Sequence, residues 1–480
     1  MPTAKSVKKE GEIDLITFVG NIFKYNEFDF DRELEAIRKS TYDDYLREIS
    51  DSYYNFVRAS DFRSLIIHEQ THLLDLTATL WGVEYNIRKI RVLEETTEER
   101  VSVFKLNYSE LQCIHKEYAI EIKNFNYKDV VDFKHEYEFS DKFGVLLFII
   151  LIDKKGQRRR IPLTMLSLFE GHAFANEQLR KINDIKLISN KNFKDKFIKL
   201  IESDYYSYIN DPNNHEYNIL IMLATIHMER FGLNRKQILY FFSAISGFIL
   251  NISSIGLSVL SSRVLEFVNS ELKYCIRADL CRNQLRHFLA FYTILRTYEY
   301  LNHRSNVTKK KDLIRMLKIQ PLTLIGLVWN GFSGGNLSNY NPLDDFDIDI
   351  HLSRFNNCAY LKTKEIFSKS KENYFNFKSQ GYVLLDLSDY YLLDMYRDYD
   401  NYEIKPKNKT IIFDKRFNID IENYFEDDSE HIELSCLVDN DVFINSQKFH
   451  LSLMDAILLN LDVDYQRMIN PNTVGVIPFY

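Results

Sequence analysis

Two histidines and a glutamate with the spacing of a metal site occur at residues 68 to 72. His68 and His72 are four residues apart within a helical pattern, so both imidazoles lie on one face of a predicted helix. Two imidazoles one turn apart can bind the same metal ion. Glu69 would then point toward the open coordination position and take a proton from a bound water. The pattern therefore predicts metal-dependent hydrolysis.

A helix can also carry this pattern without a metal, with its polar side chains exposed or satisfied by hydrogen bonds. The residues around the motif favour the metal, because they are apolar and predict a buried helix. Polar groups without partners are costly in such a helix. The flanking apolar residues are Leu65, Ile66, Ile67, Leu73, Leu74 and Leu76.

A second helical segment, from Ser167 to Glu177, contains the sequence Glu-Gly-His-Ala. Together with the His-Glu-x-x-His helix it resembles the gluzincin branch of zinc metallopeptidases, and locally the aminopeptidase N-like members. The resemblance implies Zn²⁺ held by His68, His72 and Glu170, with Glu69 as the general base. In those enzymes the second helix follows closely, whereas here residues 73 to 169 lie between the two helices.

Several residues near these motifs have more than one interpretation. Glu170 could instead form a capping box with Ser167, and Glu177 is an alternative third ligand. His172 lies about 200° around the helix from Glu170, which suggests a hydrogen-bonded or substrate-facing side chain. Asp75 could accept a hydrogen bond from a metal-bound imidazole or be solvated. A donor to the substrate carbonyl is also needed, and the candidates are Tyr205, Tyr206, Tyr208, His215 and His227.

Hydrophobic periodicity predicts helices over 14–80 and again over 163–317, including one long helix at 263–301. A small, mainly antiparallel sheet is expected between these regions, with 144–152 as its buried central strand. A loop is expected at 320–341 because of its glycines. The predicted strands are 87–93, 101–106, 118–122, 130–139, 144–152 and 159–163, followed later by 382–387, 410–413, 432–438 and 442–445.

The predicted fold is α+β and predominantly helical, with three parts. Residues 1–230 would form a zincin-like core with the sheet inserted at about 85–163, between the two metal-binding helices. Residues 231–338 would form a helical domain packed on the core, and residues 339–480 an acidic mixed α/β accessory domain. The net charge is +9 over 231–340 and −11 over 341–480, which favours attraction between these two parts.

Composition excludes several classes of protein. The chain is 45% hydrophobic and has only 15 Gly and 8 Pro in 480 residues, which excludes extensive disorder. Five widely spaced cysteines and the lack of an export signal predict a cytoplasmic protein. The uncharged stretch 239–262 has a length that could span a bilayer, but its serines favour a buried helix without stable membrane insertion.

The sequence thus predicts an intracellular zinc metallopeptidase that acts on a protein or peptide substrate. A regulated effector or defence protease is one form that such an enzyme could take. The absence of a Gly-x-Met-Glu-Asn motif favours an endopeptidase. The alternative is a non-catalytic zinc-containing interaction or sensor protein whose C-terminal domain binds a partner. No nucleic acid is expected, although the basic segment 263–315 is a weak indication of one.

Overall fold

The computed structural model describes residues 31–83, 126–140, 144–253, 272–281, 285–304, 310–319, 321–332, 369–387, 393–398 and 401–406, with shorter pieces at 11–13, 20–22, 256–257, 260–261, 268, 352, 432–433 and 443–444. These residues form a mostly helical α+β fold with a small three-stranded antiparallel sheet, as the sequence predicts. The helices are α1 Asp31–Arg38, α2 Tyr42–Glu48, α3 Tyr53–Thr77, α4 Met165–Asp184, α5 Lys191–Asn210, α6 His215–Glu229, α7 Arg235–Leu250, α8 Lys273–Cys281, α9 Arg286–Arg304, α10 Lys310–Ile319, α11 Pro321–Phe332 and α12 Ser370–Ser379. The strands are β1 Gly11–Ile13, β2 Gly20–Ile22, β3 Val130–Ser140, β4 Gly144–Asp153, β5 Arg158–Leu163, β6 Leu393–Asp398, β7 Asn401–Pro406, β8 Ile432–Glu433 and β9 Phe443–Ile444.

The three-stranded sheet has the order β3-β4-β5, with both pairs antiparallel. Its central strand is buried from Val145 to Leu151, which explains why that strand is a continuous apolar run. The predicted strands at 130–139, 144–152 and 159–163 are confirmed. Those predicted at 87–93, 101–106 and 118–122 lie outside the described residues. The sheet precedes α4 directly, so it lies between α3 and α4 in the sequence.

The N-terminal prediction is correct for α1, α2 and α3 but wrong at residues 20–22. These residues form β2, which pairs with β1 on one side and with β7 on the other. The four strands have the order β1-β2-β7-β6, and β1 and β2 lie against α3. Residues 20–22 form a strand because they pair with β7, near residue 400. The local sequence pattern of 20–22 does not reveal such a distant partner.

The helical region after residue 163 is confirmed, with two corrections. The single helix predicted at 263–301 is interrupted, because α8 ends at Cys281 and Leu285 has a φ of 56° before α9 begins. The loop predicted at 320–341 is wrong for residues 321–332, which form α11. Its Pro321 occupies the first helical position, where proline is favoured, and Trp329 is buried in the core.

One hydrophobic core joins side chains from α3, α4, α6, α7, α9, α11 and β4. α4 lies at its centre and packs against α3, α6 and α7. The uncharged stretch 239–262 begins within α7, which is buried from Phe241 to Leu250. Among the described helices, none combines the length and the apolar character that crossing a bilayer requires.

Two further expectations concern the basic segment and the C-terminal part. Arg286 is buried and donates to the backbone carbonyls of Ile249 and Ile252, so it joins α9 to the end of α7.

The predicted strand at 382–387 is wrong, because these residues form no ladder with another strand. Strands do form within 432–438 and 442–445, and the one predicted at 410–413 lies outside the described residues.

Candidate metal centre

The two predicted ligands His68 and His72 lie one turn apart on α3, with ring centroids 5.0 Å from each other. Ser52 caps this helix by accepting a hydrogen bond from the backbone N–H of Asn55. The helix has 25 residues, and the part that carries the histidines is buried almost all round. Its polar side chains therefore need partners inside the protein.

α4 supplies the third predicted ligand. Oε2 of Glu170 lies 3.3 Å from Nε2 of His68 and 3.8 Å from Nε2 of His72. One ligand atom from each of these residues lies within 4.8 Å of the other two, an arrangement that could hold a metal ion. The structure thus brings together the three residues that the sequence assigned to the metal.

The alternative role of Glu170 in a capping box is wrong. α4 begins at Met165 after the N-cap residue Thr164, so Ser167 is already inside the helix. Glu170 lies more than one turn into α4, and its carboxylate extends toward α3. The close approach of α4 to its neighbours depends on Gly171, because a Cβ there would come within 2.8 Å of the Phe242 ring on α7.

Glu177 lies behind His68, on the side of the ring away from Glu170. Its Oε2 is 3.2 Å from Nδ1 of His68, and its Oε1 accepts a hydrogen bond from Lys181 at 2.8 Å. Lys181 also pairs with Asp61 on α3 at 2.6 Å. Burial would raise the pKa of Glu177, but the charges of Lys181 and His68 outweigh it and lower the pKa to about 2. The carboxylate is therefore ionised and accepts the Nδ1 hydrogen of His68.

The two histidines have opposite electrostatic environments. Burial lowers the pKa of His72 to about 4, against the attraction of Glu170. Burial also disfavours the charged form of His68, but hydrogen bonds to Glu170 and Glu177 and the charge of Glu69 raise its pKa well above the usual value. A carboxylate-rich pocket around His68 is an environment that a bound cation would stabilise.

Glu69, the predicted general base, is only 4% exposed. Its negative charge acts on the neighbouring His68. Glu69 follows His68 directly on α3, so it is buried next to the candidate metal centre.

Asp75 has neither of the two roles predicted for it. It is fully buried, and its carboxylate lies 2.9 and 3.0 Å from Nδ1 of His172 on α4. Nε2 of His172 lies 2.8 Å from the backbone carbonyl oxygen of Tyr382. Burial lowers the pKa of His172, but the charge of Asp75 outweighs it and raises the pKa. The pair joins α3, α4 and the 382–385 segment. Of the two interpretations of His172 given by the sequence, a hydrogen-bonded side chain is therefore correct.

Tyr208 is the predicted carbonyl donor that lies nearest to the ligand face of α4. Its ring stacks on Phe174, with centroids 3.8 Å apart, and Phe174 is one turn beyond Glu170. Burial and then the charges of Glu170 and Glu177 raise the pKa of Tyr208.

The other four candidates have different neighbours. The hydroxyl of Tyr205 pairs with Thr225 at 2.6 Å, and that of Tyr206 donates to Glu229 at 3.5 Å. His227 packs against Phe133 and Tyr298. Burial, and then the charge of Arg159, lower the pKa of His215.

Sequence reasoning missed the chain of charges from His68 through Glu177 and Lys181 to Asp61. A signal was present, because Glu177 and Lys181 have the i, i+4 order in which an acidic and a basic side chain pair on a helix. The sequence does not indicate that this pair faces His68, since that depends on how α3 and α4 pack.

The chain was compared with protein-family models, with curated proteins and with solved structures, and none of them matches it.

Proposed function

We propose that the chain is a zinc-dependent metallopeptidase whose metal is held by His68, His72 and Glu170. The observation that carries the proposal is the convergence of one ligand atom from each of these residues within 4.8 Å. Two imidazoles and one carboxylate form the donor set of hydrolytic zinc sites that leave a fourth position for water or substrate. The sheet lies between α3 and α4, as in the zincin-like core that we propose, whereas in the aminopeptidase N-like enzymes the second metal helix follows the first closely.

The residues present fit a zinc ion. His68 presents Nε2 to Glu170 while its Nδ1 donates to Glu177, which is the arrangement of a metal-ligating histidine oriented by a carboxylate. His72 presents its Nε2 to the same carboxylate oxygen of Glu170, at 3.8 Å.

A zinc ion held by His68, His72 and Glu170 would supply Lewis-acid polarisation of the scissile carbonyl and would lower the pKa of a water molecule. Glu69 would take a proton from the water that attacks the carbonyl carbon and pass it to the amine that leaves when the C–N bond breaks. Tyr208 donates its hydroxyl hydrogen to the carbonyl oxygen as negative charge develops there. Glu177 holds the ring of His68 in position through Nδ1.

The alternative, a non-catalytic zinc protein, would need a protein side chain in the fourth coordination position. His172 and Glu177 are candidates for that position, because they lie on the same helix as Glu170. His172 is engaged by Asp75 and the Tyr382 carbonyl, and Glu177 lies on the Nδ1 side of His68. The position of both side chains favours an open site and hence catalysis.

Metal content per chain, measured by elemental mass spectrometry on protein expressed with added zinc, tests the proposal. Wild type and Glu69→Gln should each contain about one zinc, and the double variant His68→Ala with Glu170→Ala should contain none. Hydrolysis of a peptide library should occur with wild type and be lost in Glu69→Gln. A folded wild type without metal, or a Glu69→Gln variant with full turnover, would contradict the proposal.

A further inference from the structure

A cavity of about 200 Å³ lies where the start of β3 meets α6 and α9. No residue of α3 or α4 lines it, so it is separate from the metal centre. Its volume is below the roughly 300 Å³ at which pockets for drug-sized ligands begin, which suits a molecule of the size of one amino acid. Apolar side chains form part of its walls, namely Val130, Phe133, Ile226, Leu295 and the ring of Tyr298, and polar side chains form much of the rest.

The buried wall of the cavity contains a histidine with unused hydrogen-bonding capacity. His227 is 2% exposed, and neither of its ring nitrogens has a hydrogen-bond partner among the described residues. Its ring packs edge-on against Phe133 and at a tilt against Tyr298, at centroid distances of 5.2 and 4.7 Å. A buried polar group without a partner is destabilising, so a ligand that bonds to this ring would gain affinity.

His227 offers both a donor and an acceptor. Burial, and then the charge of Arg230, lower its pKa to about 4. The ring is therefore neutral near pH 7, with one N–H that donates and one nitrogen that accepts. A hydroxyl group is complementary to either nitrogen, since it can donate and accept as well.

The rim of the cavity carries both signs of charge. Arg230 is exposed there and donates to the hydroxyl of Tyr298 at 3.4 Å, which leaves further guanidinium hydrogens for a ligand. Asp132 is exposed, and Glu299 is half exposed beside Arg296. A guanidinium and two carboxylates around one opening are complementary to a zwitterion, whose carboxylate would face Arg230 and whose ammonium would face the acids.

We propose that this cavity binds a free aromatic α-amino acid with a ring hydroxyl, that is, tyrosine. The ring lies against the apolar walls, the hydroxyl bonds to His227, and the amino and carboxylate groups lie at the rim. Asp132 and Glu299 at the rim would repel a polyanion, and the apolar side chains favour a ring over a sugar. The site does not depend on zinc or on peptide hydrolysis.

Equilibrium binding of L-tyrosine to the full chain, measured by isothermal titration calorimetry, tests the proposal, with L-phenylalanine and L-leucine as comparison ligands. Tyrosine should bind at least tenfold more tightly than phenylalanine, which lacks only the hydroxyl. His227→Phe should abolish that preference. Arg230→Ala, on the exposed rim where folding is not at risk, should weaken binding of both aromatic ligands at least tenfold. The matched variant Arg315→Ala, exposed on α10, should change nothing.

Two outcomes would overturn the proposal. One is the absence of tyrosine binding up to its solubility limit by wild type that circular dichroism shows to be folded. The other is tyrosine binding that both His227→Phe and Arg230→Ala leave unchanged, which would place the ligand elsewhere. Because binding is measured without substrate and without added zinc, neither outcome depends on whether the chain is a metallopeptidase.

Discussion

Nδ1 of His68 lies 3.2 Å from Oε2 of Glu177, while Nε2 of the same ring faces Glu170. The two nitrogens thus have separate partners, one on each side of the ring. A carboxylate on Nδ1 fixes both the tautomer and the orientation of an imidazole that binds metal through Nε2. Lys181 and Asp61 extend this contact into a chain of charges between α3 and α4.

Glu177→Gln is predicted to weaken zinc binding by about 10- to 100-fold, because removal of an oriented carboxylate makes the ligating imidazole less basic and less fixed. The measurement is a zinc competition titration against a chelator of known affinity at neutral pH. Glu202→Gln, an exposed change on α5, is the matched control and should have wild-type affinity. Equal affinities of the two variants would show that Glu177 does not position His68.

Tyr208→Phe is predicted to lower kcat of peptide hydrolysis by about 10²- to 10³-fold, the usual effect of removing one donor to a developing oxyanion. KM should stay close to the wild-type value, because the hydrogen bond forms mainly in the transition state. Tyr206→Phe is the control, since its hydroxyl bonds to Glu229, and it should keep wild-type kcat. The assignment fails if both variants lose activity equally or if neither does.

The sequence predicts that His68, His72 and Glu170 lie close together, because most of the information for this is local. Spacing places His68 and His72 on one helix face, and the resemblance assigns Glu170, which the structure places beside both. The contacts of Asp75 and Glu177 are not local. From the sequence, Asp75 could be solvated or could bond to a metal-bound imidazole. Its pairing with His172 depends on how α3 packs on α4.

The errors in the fold have the same origin. The periodicity of a local pattern predicts buried helices and strands with alternating side chains. It does not predict which segments, distant in sequence, will pair with one another. β2 depends on β7, and its three residues read as part of a helix. Residues 321–332 contain glycines that suggest a loop, yet the burial of Leu324, Val328 and Trp329 stabilises α11.

Gly247→Ala is predicted to destabilise the protein by about 1–3 kcal/mol or more, through overpacking. A Cβ at this position of α7 would overlap the ring of Tyr382, whose backbone carbonyl bonds to His172. Gly326→Ala is a matched change in α11 where, apart from the helix's own backbone and chain neighbours, no atom of the described residues lies within 4 Å of the added Cβ. It should stabilise by about 0.5–1 kcal/mol, since alanine is the better helix former. Urea denaturation of both variants measures these differences, and a Gly247→Ala protein as stable as wild type would contradict the close packing of Tyr382.

His287 is predicted to make the protein less stable in mild acid. It is 1% exposed near the start of α9, and burial lowers its pKa from 6.5 to about 3. The unfolded chain binds a proton at this position below pH 6.5, whereas the folded chain stays neutral until about pH 3. The contribution of His287 to stability is therefore present above pH 6.5 and is lost as the pH falls toward 3.

Between pH 7 and pH 5 this loss amounts to about 2 kcal/mol. The free energy of unfolding, measured by urea denaturation at both pH values, should therefore fall by about 2 kcal/mol more in wild type than in His287→Phe. His303→Phe changes an exposed histidine near the end of the same helix and should reproduce the wild-type difference. Other buried groups contribute equally to all three proteins, so only the comparison between them isolates His287. If His287→Phe lost as much stability as wild type over this range, the side chain would have to reach a proton acceptor or water in the folded state.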